Sequence, residues 1–497
     1  MSPSAENVRR ARLEVLACLR DYVDVGTVAT AWSSCDRLLN ALSCSSSAPL
    51  ARHRALLAYG GGKDSSYMVA YVRLMQLLLY QEHGTTFQLR VVTSRHAGMP
   101  VAVMENIDRT YRALGLYDDP DVELLMVDGH DVSTFDATRP LPDDVVRRNR
   151  LDVLMTGHRC HGDGRPTFCN SCNLSMIGAF ATAAAYGGGV DAVVTGDSTA
   201  EQKAYMLWVR RLARQMGLPP GNLTRFDAFV QTADGIARSY YSDIYLSADS
   251  GEVGSRRMTQ LGNDRNPIFF SIYEDTAYRS GDHWDLLTEF LGFRFDDLSF
   301  SFTESDCANP ALMAHLRGLK AERVFGTGYA AGIEEYRDFA ITLMQAKDFP
   351  QQLVTRMRQR YSSRRRIEGM RRRLDEYARD AFGLTQEHLV CMLYSPFIDE
   401  ARNLRPYLEA ERPDLLEHMD EVHAVLVGRA AGPPALVTTL TKVSGLSADN
   451  LRVLYRSSVA ATGTAIGLVL AGDPHKAVIR TKHAPDGPST LELISGR

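Results

Sequence analysis

Ala55-Leu56-Leu57-Ala58-Tyr59-Gly60-Gly61-Gly62-Lys63-Asp64-Ser65-Ser66 is the stretch on which the reading of this chain turns. The first five residues form an apolar run of strand length. The glycines make a turn, and a helix is predicted to open near Ser65. Glycine tolerates positive φ and lets backbone N–H groups approach an anion closely. The positive end of the following helix favours phosphate. Lys63 adds a point charge, and Ser65 and Ser66 add hydroxyl donors. Asp64 is the odd member: a carboxylate beside a phosphate cradle makes sense as a holder of Mg²⁺. The spacing is neither the G-x-x-x-x-G-K-[ST] of a Walker loop nor G-x-G-x-x-G.

Outward from this turn, strands and helices alternate. Predicted strands are 89–93, 122–127 and 190–195; predicted helices are 67–80, 104–114, 142–155 and 173–186. Such alternation predicts an α/β fold with a doubly wound parallel sheet, its ligands at the carboxyl ends of the strands. Residues 5–45 read as helical. Long helical stretches dominate from about 340 to 425, and 477–481 with 490–494 read as a hairpin around Pro485-Asp486-Gly487. Three regions result: a helical N-terminal extension (1–50), an α/β domain that carries the glycine turn (51–335) and a mostly helical C-terminal region (336–497).

The chain has 497 residues, 45% hydrophobic and 23% charged, with a net charge of −4. That balance is ordinary for a globular protein and excludes a surface built throughout for nucleic acid. No apolar run reaches the ~18 residues of a membrane span, and the N-terminus lacks the apolar core of a signal peptide. A cytoplasmic protein without membrane partners is expected, with a homodimer left open.

Three further motifs carry chemistry. Thr195-Gly196-Asp197-Ser198 ends a predicted strand, and Asp197 is placed to share Mg²⁺ with Asp64. Asp and Ser also cap helices, so a plain N-cap is the competing reading. Cys160, Cys169, Cys172 and the distant Cys307 form the second motif among eight cysteines. Four thiolates suit a closed zinc site, three suit a [4Fe–4S] cluster with one open iron, and reduced unligated thiols remain the bland alternative. His158 and His161 flank Cys160 and read as loop histidines. The third motif is an arginine run: Arg356, Arg358, Arg360, Arg364, Arg365, Arg366, Arg371, Arg372 and Arg373, opposed only by Glu368. Its first reading is a solvated face, or pairing with acidic surface such as the stretch from Glu409 to Glu421; a tRNA partner is the second. Arg210, Arg211, Arg256, Arg257 and Arg265 are weaker candidates for anion contacts.

The glycine turn closely resembles the S-G-G-x-D-S signature of the PP-loop ATP pyrophosphatases, with Gly60 in the place of the first serine. The resemblance covers about residues 52–330. It implies a HUP-like fold and cleavage of ATP between the α and β phosphates, with AMP placed on a carbonyl or carboxyl oxygen. Gly60, Gly61, Gly62, Lys63, Asp64, Ser65 and Ser66 would bind the phosphates, and Gly196 with Asp197 would lie close to the nucleotide. Thr93 and Ser94 would line the adenine pocket by position, near His96. The cysteine order is similar to that of tRNA 2-thiolation enzymes, but T-G-H-N-x-D-D is absent. Lys63 matches a form found in diphthine–ammonia ligase, and 7-cyano-7-deazaguanine synthase has a four-cysteine zinc site. The resemblance implies an adenylating ligase acting on a small-molecule acceptor with an amine or ammonia as nucleophile. Its cofactors would be ATP, Mg²⁺ and Zn²⁺. The alternatives are an iron–sulfur sulfurtransferase acting on RNA or a small molecule, and a nucleotide sensor built on a degenerate loop.

Overall fold

The computed structural model describes residues 5–495 except 170–171, 220, 248–249, 262–265, 277–282, 299–308, 347–348, 430–431, 461–462, 472–475 and 483–488. Two helices open it, α1 (Ala5–Tyr22) and α2 (Val25–Ser45). They replace the single helical stretch expected from the sequence. The break falls at Asp24, whose carboxylate accepts the Thr27 N–H at 2.6 Å and caps α2.

The central part runs β1 (Arg54–Ala58), α3 (Lys63–His83), β2 (Gln88–Ser94), α4 (Val101–Ala113), β3 (Val122–Asp128), β4 (Asp131–Thr134), α5 (Asp143–Arg159), α6 (Gly164–Cys169), α7 (Cys172–Ala185), β5 (Ala192–Thr195), α8 (Thr199–Gln215), α9 (Phe226–Tyr245), α10 (Gly251–Gly254), β6 (Ile268–Ser271) and α11 (Tyr273–Thr276). The six strands form one sheet in the order β4-β3-β2-β1-β5-β6. Every pairing is parallel except β3 with β4. The fold is therefore α/β with a mostly parallel sheet, and β4 is an addition the sequence did not signal.

Side chains alternate across the sheet with period two, and both faces are buried. Ala55, Leu57, Val91, Met126 and Val194 face α1 to α4, where they meet Leu16, Leu38, Val103 and Ile107. Leu56, Val92, Leu125, Val127 and Val193 face the other way, toward Leu154, Ala181, Leu212 and Ile236. That second core runs on without a break into the C-terminal helices through Leu312, Leu374, Leu389 and Leu454. These helices begin with α12 (Asn309–Arg323), α13 (Tyr329–Ala346), α14 (Gln351–Arg360), α15 (Arg364–Phe382) and α16 (Gln386–Tyr394). The chain ends in the expected hairpin, β7 (Lys476–Lys482) with β8 (Ser489–Ser495); its turn, Pro485-Asp486-Gly487, lies outside the described residues. Among the described residues no helix is long and apolar enough to cross a membrane.

Buried charge ties the layers together. Arg12 from α1 and Arg73 from α3 both donate to the Asp119 carboxylate at 2.8 Å, on the approach to β3. Burial raises the pKa of Asp119, but the two guanidiniums outweigh it and hold the carboxyl below its ordinary value. Nearby, at the same amino-terminal edge of the sheet, Arg90, fully buried in β2, donates to Glu123 at 2.6 Å and to the Ala183 carbonyl at 2.7 Å. Cations suit the carbonyl end of α7.

Asp119→Ala strands two buried guanidiniums and is expected to cost about 3–5 kcal/mol in denaturant unfolding. Because the folded pKa is depressed, this stabilisation is present above the ordinary aspartate range and lost as pH falls below it. The variant should lack that part of the acid slope.

Candidate functional site

β1 delivers the chain to the glycine turn through Tyr59. This residue is buried, and its N–H donates to the Val92 carbonyl at 2.8 Å. Its carbonyl accepts from Thr93 Oγ1 at 2.9 Å, and its hydroxyl donates to Thr110 Oγ1 at 2.8 Å. The same hydroxyl lies 2.8 Å from Ser66 Oγ, which itself donates to the Gly62 carbonyl at 2.8 Å. Ser66 thus sits beneath the loop as a support. Ser65 is half-buried and donates to the same carbonyl at 3.0 Å.

Gly61 has φ +74°, and a Cβ there would fall 2.6 Å from Val103 Cγ1 and 2.9 Å from Ile107 Cγ1. Both the backbone and the packing demand glycine. α3 then opens at Lys63, two residues before the predicted start, with Gly62 at the N-cap and no side-chain cap. The Lys63 ammonium is buried, pairs with the Asp64 carboxylate and lies 5.6 Å from the Phe349 ring centre. Asp64 itself is 46% exposed. Phe349 packs on Trp284 at 5.9 Å, and Trp284 on Phe295 at 6.0 Å. Phe349 from the C-terminal region thus covers Lys63, and it is backed by Trp284 and Phe295 in an aromatic row.

The second motif lies next door. Leu57 pairs with Val194, so the carboxyl ends of β1 and β5 are neighbours, about 4.8 Å apart. A Cβ at Gly196 would fall 2.3 Å from the sulfur of Met68, one helical turn beyond Asp64 on α3. The motif is thus pressed against the helix that starts at the glycine loop. The cap of α8 is Ser198, in a reciprocal box with Glu201. Capping accounts for Ser198 and leaves Asp197 outside that explanation. Asp197 is held by its backbone: its carbonyl accepts from Gln202 Nε2 at 3.1 Å and from Ser271 Oγ at 2.9 Å.

At the end of β2, Thr93 is fully buried and Ser94 half-buried. Arg95 is committed to Asp128, with Nε 2.8 Å from the carboxylate. Burial pulls His96 down to about 4, so it is neutral, and its Nδ1 accepts the Gly98 N–H at 3.1 Å.

Of the four candidate cysteine ligands, the Cys160 side chain is described. It is half-buried at the C-terminal end of α5 and outside any disulfide. The side chains of Cys169 and Cys172 and the whole of Cys307 lie outside the described residues. Among the described residues no group of three or more His, Cys, Asp or Glu is arranged to hold a metal ion. Asn309, two positions after Cys307, donates to the carbonyl of Phe168, the neighbour of Cys169, at 3.4 Å. Gly98, at the end of β2, comes so close that a Cβ there would overlap the same Asn309 side chain. His158 is fully buried with neither ring nitrogen hydrogen-bonded, and burial pulls it down to about 3.

Sequence reasoning missed Tyr59, Val103, Ile107, Met68 and Phe349. The first four look like ordinary core residues, and nothing local links residue 349 to residue 63. Comparisons with protein-family models, curated proteins and solved structures find no match.

Gly61→Ala should lose about 2–4 kcal/mol in denaturant unfolding, from the positive φ and the overpacking. Gly60→Ala, whose methyl would meet nothing within 4 Å, should stay within about 0.5 kcal/mol. His158→Leu should be neutral or stabilising at neutral pH, since no hydrogen bond is lost. The unfolded chain protonates His158 below its ordinary value of 6.5 and the folded chain only near 3, so wild type loses stability as pH falls through that window. The variant's profile should be flatter there.

Proposed function

We propose that residues 51–335 form a doubly wound, HUP-like ATP-binding domain of the PP-loop pyrophosphatase type. The chain adenylates a carboxyl or carbonyl oxygen of a small-molecule acceptor, and an amine or ammonia then displaces AMP. One observation carries this reading. The strand order changes direction at β1 and β5, and the glycine loop and Thr195-Gly196-Asp197-Ser198 leave these adjacent strands side by side. Open α/β sheets bind ligands at such a reversal, beyond the carboxyl ends of the strands.

The residues divide the work as follows. Backbone groups of Gly60 to Gly62, the first turn of α3 and the buried Lys63 cradle the β and γ phosphates. The acceptor oxygen attacks the α-phosphorus, the bond to the β-phosphate oxygen breaks, and pyrophosphate leaves. The nitrogen nucleophile then attacks the acceptor carbon, and AMP leaves with its oxygen. Lys63 has to release Asp64 to reach phosphate. Asp64, in the first turn of α3, and Asp197, in the turn after the adjacent strand β5, are partly exposed carboxylates, a donor set that fits Mg²⁺. Magnesium, when bound, supplies charge neutralisation at the phosphates. Phe349, backed by Trp284, covers Lys63.

A second reading, sulfur transfer, draws support from Asn309. Its contacts with Phe168 and Gly98 bring the start of α12, the end of α6 and the end of β2 into one neighbourhood, and the cysteine motif falls on the sequence next to the first two.

The test is release of pyrophosphate and AMP from ATP and Mg²⁺ across a panel of carboxylate and carbonyl acceptors. Asp64→Asn should lower turnover by about two to three orders of magnitude with the fold intact; unchanged turnover rules out its magnesium role. Anaerobic purification with metal analysis separates the two readings. Zinc without visible absorbance favours the ligase, and about four iron with broad visible absorbance favours sulfur transfer.

A further inference from the structure

The arginine run lies on two consecutive helices, α14 and α15, joined by a short turn. Their apolar sides, Val354, Met357, Ile367, Met370 and Leu374, are buried in the core. The opposite face is left to the guanidiniums. Arg358, Arg364, Arg365, Arg366 and Arg372 are exposed, and among the described residues none of them is paired with a carboxylate.

Four of the six acids in the stretch expected to neutralise them are engaged elsewhere, and among the described residues none of the six pairs with an arginine of α14 or α15. Glu409 pairs with Arg405, Glu411 with Arg323, Asp414 with Arg412, and Glu421 with His418. On the helices themselves, Asp375 is bound to His315, Glu368 leans on Arg371, and Asp380 on Arg379. Glu376 is the remaining exposed acid of α15. Asp297 is shared by three guanidiniums: Arg356 at 2.7 Å, Arg360 at 3.7 Å and Arg373 at 3.8 Å. One carboxylate against three cations leaves a local excess of positive charge, on a chain whose net charge is −4.

One of the five exposed arginines serves the fold: Arg366 donates to the Gln359 carbonyl and, at 3.4 Å, to Ser362 Oγ across the turn. Stability does not call for the others. Arg364, Arg365 and Arg366 occupy the first turn of a 19-residue helix with no acid in that turn. Cations there oppose the helix dipole, and like charges repel. The choice of side chain is also uniform. From residue 351 to 373 every cation is arginine and none is lysine. The planar guanidinium fork matches phosphate in bidentate fashion.

We propose that the exposed face of α14 and α15 is a docking surface for the phosphate backbone of a nucleic-acid strand. Its Asp297 end lies toward the ATP loop. Asp297 is two residues beyond Phe295, which belongs to the aromatic row that runs through Trp284 and Phe349 to Lys63. A strand lying on the arginines would run toward the aromatic row beside Lys63. The inference stands on the charge distribution alone and does not depend on the ATP chemistry.

The experiment is fluorescence-anisotropy binding of the full chain to labelled single-stranded RNA and to DNA of equal length, titrated with salt. Wild type should bind with a log–log salt slope of about −0.7 per phosphate contacted. The triple variant Arg364→Gln, Arg365→Gln, Arg366→Gln should bind about tenfold or more weakly, with a slope shallower by about two. These side chains are exposed and only Arg366 bonds within the fold, to Gln359 and Ser362, so its melting temperature should stay within a few degrees of wild type. The triple Lys variant should keep the slope. Binding of either strand supports the surface, and a preference for RNA or for DNA identifies the source of the phosphates. Absence of binding at low salt overturns the proposal. So does an unchanged slope in the Gln variant, or displacement by polyglutamate as effective as by nucleic acid, which marks an acidic protein partner.

Discussion

Two close approaches hold the centre of this structure. At Gly61 the turn after β1 is jammed onto Val103 and Ile107 of α4, and at Gly196 the turn after β5 is jammed onto Met68 of α3. A methyl group at either place would overlap its neighbour. These contacts fix the first turns of α3 between the ends of two adjacent parallel strands. The positions of Lys63, Asp64 and Asp197 all follow from that. Packed interiors do not deform smoothly, so a site held this way is set to within a few tenths of an ångström.

The supports around the turn follow the same logic. Tyr59 is bonded at its N–H, its carbonyl and its hydroxyl, which joins β1 to β2, α4 and the underside of α3. The buried arginines Arg12, Arg73 and Arg90 act farther out, tying helices to the strand ends away from the site. Each is matched by carboxylates or carbonyls, which is the condition for burying a guanidinium. The arginines of α14 and α15 break that pattern. Arg360 and Arg371 are largely buried and Arg371 is matched by Glu322, but Arg358, Arg364, Arg365, Arg366 and Arg372 are exposed and, among the described residues, not paired with a carboxylate.

Lys63 shows how the two ends of the chain meet. Its ammonium lies between Asp64, its neighbour in sequence, and Phe349, nearly three hundred residues away. The C-terminal helices share one continuous core with a face of the sheet, so the cover over Lys63 is part of that core. Phe349 lies between α13 and α14 in sequence, so the packing of these helices bears on the glycine loop through this aromatic ring.

Local chemistry was enough to read the strand–turn–helix at residues 55–66, the alternation that builds the parallel sheet, the motif at Thr195 and the terminal hairpin. Glycine content, apolar runs and turn residues encode these within a few neighbouring positions. The break between α1 and α2 is encoded just as locally, in the capping carboxylate of Asp24, whereas β4 carries too little apolar pattern to be seen. Other features were decided by the tertiary structure. Ser66 supports the loop from below, Ser198 caps α8 and so frees Asp197 from that duty, and Phe349 covers Lys63. The arginine run finds no counter-charge in the acidic stretch that follows it. Each of these depends on which surfaces meet across long sequence separations. A single chain states its periodicities locally, but burial, pairing and close approach exist only once the helices have packed on the sheet.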